Sequence, residues 1–148
     1  MEAWVKPNSF VFAGTNTDIG AIMIANSSFY LSLDGNGKFN AYIYGSITST
    51  VNHQPSTTSV TRHTWNHIVG TYDGAYIRWY LNGVLDKTSS IFTLGSITLS
   101  GVNSFIGIGA EGASNYGRMI DGYISGCKVY GKELSAAQVL ANYQQQDR

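Results

Sequence analysis

Charge and cysteine are what this sequence has least of. Cys127 is its one cysteine, which excludes an internal disulfide and a zinc site built on thiolates. It lies in a strand-like run, where it reads as a small buried hydrophobe; a reactive thiol needs a basic or helix-terminal setting. Charged residues are 12% of the chain, about half the usual share. Nine basic and nine acidic residues cancel, leaving no field to draw in nucleic acid or an anionic membrane. No window is long and apolar enough to cross a bilayer, and the N-terminus lacks the charged-then-apolar order of a signal peptide. Asn26-Ser27-Ser28 forms a glycosylation sequon, a three-residue pattern that also arises by chance.

Glycine, serine, threonine, asparagine and tyrosine fill the gap left by charge, a balance that suits a β-rich surface. The 148 residues make one domain, large enough to hold a core without covalent staples. Apolar residues recur with a period of two, and turn residues interrupt them as in sandwiches and barrels. The clearest stretch is residues 65–87. Residues 65–72 are rich in β-branched and aromatic side chains and read as a strand. Asp73-Gly74 then supplies a hairpin turn. In the next strand, residues 76–81, Ile77, Trp79 and Leu81 share a face. Asn82-Gly83 turns the chain again, and Val84-Leu85 opens a third strand.

Residues 2–5, 21–24, 29–33 and 39–44 read as earlier strands, with the last two joined by Asp34-Gly35-Asn36-Gly37. Residues 104–109 and 119–130 read as later strands around a glycine-rich loop at 111–118. The Ser/Thr-rich run 46–61 is a long loop or a ragged edge strand. Only the C-terminus reads as helix. Ser135 caps it, Gln138 completes a capping box, and Leu134 staples against Val139. The expected class is all-β: two antiparallel sheets and one short C-terminal helix.

These residues carry a resemblance. Trp65-x-His67-Ile68-Val69-x-Thr71-Tyr72-Asp73-Gly74, followed by Trp79-Tyr80-Leu81-Asn82-Gly83, resembles the central signature of laminin-G-like jelly-roll domains. These belong to the concanavalin A-like lectin/glucanase superfamily. Gly122-x-Ile124, Val129-Tyr130 and Glu133-Leu134-Ser135-x-x-Gln138-Val139 are similar to that family's closing strand and helix. Ile106-Gly107-Ile108-Gly109 and Glu2-Ala3-Trp4-Val5-Lys6-Pro7 match two further strands. The resemblance implies one jelly-roll sandwich over 1–148 with core positions for Trp4, Trp65 and Trp79. His67, Asp73, Gly74, Asn82, Gly83 and Gly122 fall on structural positions of the same signature. Family members usually carry a strand before the Ala-Trp-Val-Lys-Pro one, so the resemblance also implies an unpaired N-terminal edge. A partner subunit of a homo-oligomer or a segment of a parent chain would cover it.

Tyr116 stands in the loop with Glu111, Asn115 and Arg118, where exposure and polar neighbours suit ligand recognition. Relatives of this fold place calcium at the sandwich rim. Asp18, Asp34 and Asp121 are the candidate ligands here, with Asp73, Glu111, Asn36 and Asn103 as further oxygens. Retaining glycosidases need two carboxylates about 5–5.5 Å apart, and no Glu-x-Asp or Glu-x-x-x-Glu run supplies them. No serine or cysteine sits in a nucleophile elbow. The expectation is a non-catalytic module that recognises carbohydrate or a glycosylated surface. The alternative is an attachment or decoration domain of a virus particle or cell-surface protein, acting through protein contacts. Either implies an extracellular, cell-surface or virion setting.

Overall fold

The computed structural model describes residues 1–12, 19–25, 29–43, 54–90, 106–110 and 118–145. Among them are nine strands and one helix: β1 Glu2–Pro7, β2 Ile19–Ala25, β3 Phe29–Asp34, β4 Phe39–Ile43, β5 Asn66–Tyr72, β6 Ile77–Leu81, β7 Val84–Thr88, β8 Ile106–Ile108, β9 Gly122–Lys128 and α1 Ala136–Gln144. Two sheets form, one ordered β7-β6-β5-β1-β9 and the other β4-β3-β2-β8, and every strand pairing is antiparallel.

Alternation along the strands builds the core between the sheets. Ala3, Val5, Ile68, Ile77 and Trp79 from the first sheet meet Ile22, Met23, Leu31, Leu33, Phe39 and Ala41 from the second. The opposite face of the five-stranded sheet, its outer face, carries Glu2, Trp4, His67, Val69 and Tyr80, all buried. There α1 packs. Val139 and Leu134 close over Val69 and Tyr80, and the Tyr143 ring stacks 5.7 Å from Trp4. The helix begins at Ser135, whose Oγ accepts from Gln138 N while Gln138 Oε1 accepts from Ser135 N, completing the expected capping box.

The turns follow local chemistry. Asn82 and Gly83 adopt φ of 50° and 81°, the left-handed pair that a tight hairpin requires. The Asn82 side chain also accepts from His67 N at 2.9 Å, tying the turn to β5. Gly122 is needed for a different reason: a Cβ there would lie 2.5 Å from the Lys6 carbonyl oxygen.

Two expectations change. β1 lies between β5 and β9, so the N-terminal strand is paired on both sides; among the described strands β9 is the edge next to it. Trp65 is 41% exposed, whereas Trp79 is fully buried and Trp4 nearly so. β5 begins at Asn66, so Trp65 falls just outside the ladder. Alternation carries it onto the face of His67, where Tyr143 of α1 stacks over Trp4 and His67. Cys127 is half-buried against the core, and burial pushes its thiol pKa up, as suits a packing residue.

Candidate functional site

Strand directions sort the loops onto two ends of the sandwich. One end gathers the 34–38 turn, the segment after β1 and residues 118–122: Ile19 faces Asp34 across the ladder, Pro7 faces Gly122, and the Arg118 carbonyl accepts from Ala21 N. Asp34, Arg118 and Asp121 from the sequence-derived sets therefore share one rim. Asp18, Glu111, Asn115 and Tyr116 lie outside the described residues.

The rim carboxylates have work within the fold. Asp34 Oδ1 accepts from Asn36 N and Lys38 N at 2.8 and 2.9 Å, an Asx-type closure of its own hairpin. Asp121 Oδ1 accepts from Asn8 Nδ2 at 3.0 Å. Calcium takes six to eight oxygens. Among the described residues no group of three or more His, Cys, Asp or Glu is placed to hold a metal ion. Asp34 and Asp121 alone do not make a calcium cage.

The other end holds a cavity of about 340 Å³. Met1, Phe29, Ile43 and Leu134 form apolar walls, Tyr72 and Tyr130 add aromatic rings, and Lys132 and Glu133 stand at the exposed side. Beside it, Arg78 Nη1 contacts Asp73 at 2.8 Å and Glu133 at 2.7 Å. The sequence keeps these carboxylates far apart, and only the fold brings them together. Asp73 also accepts from Ala75 N and Tyr76 N. Those backbone donors, with Arg78, hold its carboxyl below the ordinary carboxylate range. Asp73, clamped in this way, lacks the raised pKa a general acid needs.

A polar cluster that the sequence did not reveal lies under α1. Glu2 is buried, with Oε2 accepting from Tyr130 Oη at 2.8 Å and Asn142 Nδ2 at 2.7 Å. Its Oε1 is 3.3 Å from His67 Nε2 and 3.5 Å from Lys128 Nζ. Burial works to raise the Glu2 carboxyl, but His67, Tyr130 and Asn142 outweigh it and bring the pKa down to about 2. Burial and the adjoining Glu2 push Tyr130 up to about 12. The cluster joins β1, β5, the end of β9 and α1, which gives it a structural role.

A family model for the concanavalin A-like lectin/glucanases superfamily matches residues 1–140. The chain belongs to that superfamily. No curated protein matches it significantly. Among solved structures, this superfamily member is similar to a candidate carbohydrate-binding protein of Bacteroides ovatus, with TM-score 0.69, 19% identity, and coverage of 94% of this chain and 38% of that one. It is also similar to a native heptameric SAP-like pentraxin of Limulus polyphemus, with TM-score 0.67, 17% identity, and coverage of 94% and 66%. A third is the IT-sialidase CBM40 of Ruminococcus gnavus bound to α2,3 sialyllactose, with TM-score 0.68, 14% identity, and coverage of 96% and 81%. The chain spans 38% and 66% of the length of the first two. At these identities the likeness is one of fold.

Proposed function

We propose that this domain is a non-catalytic binding module that recognises carbohydrate or a glycosylated surface. The observation that carries the reading is the state of its carboxylates. Glu2, Asp34, Asp73, Asp86, Asp121 and Glu133 each accept hydrogen bonds from the domain's own backbone or side chains. None of these is held as a free acid–base pair. The α2,3 sialyllactose bound by a similar structure supports the substrate class. The loop carrying Glu111, Asn115, Tyr116 and Arg118 is the proposed contact at the rim, and export to an extracellular or cell-surface setting fits a neutral, polar β surface. No helix among the described residues is long and apolar enough to cross a membrane.

A second reading, attachment through protein contacts, has its own support at the sandwich side. Ile106 and Ile108 pair with Ala25 and Met23, whose side chains face the core, yet both isoleucines are 59% exposed. Exposed apolar side chains on β8, the last strand of its sheet among the described residues, invite another chain. A glycan array run with and without a calcium chelator, alongside light scattering, separates the readings. Glycan binding supports the first. A defined oligomer with no glycan binding supports the second and overturns the first.

A further inference from the structure

The outer face of the five-stranded sheet is only partly roofed. Tyr143 stacks over Trp4 and His67, and Leu140 and Tyr143 reach the β6–β7 turn at Gly83. One step farther along the strands, the described residues leave Trp65 and Tyr123 exposed on either side of the half-buried Lys6.

Register defines that row. Val5 faces Asn66 on one side and Ile124 on the other, and Lys6 faces Tyr123. Trp65, preceding Asn66, therefore falls alongside Lys6. The bond from His63 N to the Pro7 carbonyl, 2.8 Å, keeps that segment against β1 beyond the ladder. Alternation puts Lys6 on the face of Glu2 and Trp4, Trp65 on the face of His67, and Tyr123 on the face of its partner Lys6.

Trp65 is 41% exposed and Tyr123 59% exposed. The Lys6 ammonium sits 5.7 Å from the Tyr123 ring centroid, within cation–π range. Neighbouring strands are about 4.8 Å apart, which puts the two flanking aromatics about 10 Å apart with a cation between them. Amphipathic rings of this kind are the usual anchors of recognition surfaces. Their flat faces suit the C–H faces of sugar rings, their spacing suits consecutive sugars, and the ammonium suits an acidic substituent.

We infer that the Trp65–Lys6–Tyr123 row is an anionic-glycan site, with the aromatics stacking on sugar rings and Lys6 pairing with a carboxylate or sulfate. The inference rests on the carbohydrate reading above and places this site on the sheet face that carries α1. Both anions share one chemistry, and the probes distinguish them.

The test titrates the protein with 3′-sialyllactose, lactose 3′-sulfate and neutral lactose by calorimetry, and follows the tryptophan indole N–H signals by NMR. The Trp65 indole should shift on binding, while the buried Trp79 signal serves as an internal control. Trp65→Ala and Tyr123→Ala should each weaken the preferred anionic probe about 10-fold, the loss of roughly 1.4 kcal/mol. Trp65→Phe should retain most of the affinity, which guards against a folding artefact. Lys6→Gln should reduce the anionic probe to the affinity of lactose. Unchanged affinity in Trp65→Ala and Lys6→Gln, or glycan binding elsewhere that excludes both anionic probes, overturns this site and leaves the carbohydrate reading standing. Failure of all three probes and of a broad glycan panel overturns both.

Discussion

The buried Glu2 carboxylate lies 3.3 Å from His67 Nε2, joining β1 to β5 on the face that α1 covers. Tyr130 and Asn142 complete the shell around the same carboxylate. A charge buried in this way is stable only while its partners remain, because removing one leaves polar groups unsatisfied in a dry site.

The cluster makes stability depend on pH in a defined direction. Glu2 titrates at about 2 in the folded domain against 4.5 ordinarily, so its contribution is fully present above pH 4.5 and is lost as pH falls toward 2. The shift corresponds to about 3 kcal/mol at most. Urea unfolding of the wild type between pH 6 and pH 3 should therefore show a falling midpoint. Glu2→Gln should be less stable at pH 6 and lose less on acidification. Parallel curves for the two proteins would refute the assignment.

Gly70 of β5 and Ala41 of β4 meet at close range across the two sheets. A Cβ on Gly70 would lie within van der Waals overlap of the Ala41 Cβ, 2.2 Å away. Gly70→Ala should cost about 1–3 kcal/mol through overpacking. Adding Ala41→Gly should return part of that, since the second change removes the clashing atom. Additive losses in the double mutant would show that the strain lies elsewhere.

The meander from β5 to β7 and the capped helix were legible in the sequence because their signals are local: alternation, Asn82-Gly83, and Ser135 with Gln138 three residues on. The rest depended on distance along the chain. Glu2 reads as an ordinary first-strand residue until β5, β9 and α1 surround it. Asp73 and Glu133 become neighbours only through Arg78. Trp65 belongs to a strand-like pattern, but pattern alone does not say where the roof over a sheet face stops. The cavity is likewise assembled from Met1, β5, the second sheet and the stretch after β9, which no window of sequence contains. Residues 111–117 of the proposed contact loop lie outside the described residues.

The capping box governs whether α1 stays on the sheet. Ser135→Ala removes the acceptor for Gln138 N and should cost about 1 kcal/mol. A nine-residue helix is marginal without its packing, so fraying should show first in amide exchange of α1 and in the fluorescence of Trp4, which Tyr143 stacks against. Uniformly faster exchange across both sheets would mean that the helix is not an independent unit.

Trp79 and Trp65 occupy opposite extremes of burial, 0% against 41% exposed, although both belong to the same sequence signature. Trp79→Ala leaves a cavity between the sheets and should cost about 3–5 kcal/mol, enough to unfold much of a marginal domain. Trp65→Ala removes a side chain with little packed around its exposed edge, and the expected loss is below about 1 kcal/mol. Differential scanning calorimetry on the two variants measures the contrast directly. A loss at Trp65 matching that at Trp79 would put Trp65 in the core and remove the exposed aromatic on which the anionic-glycan row depends.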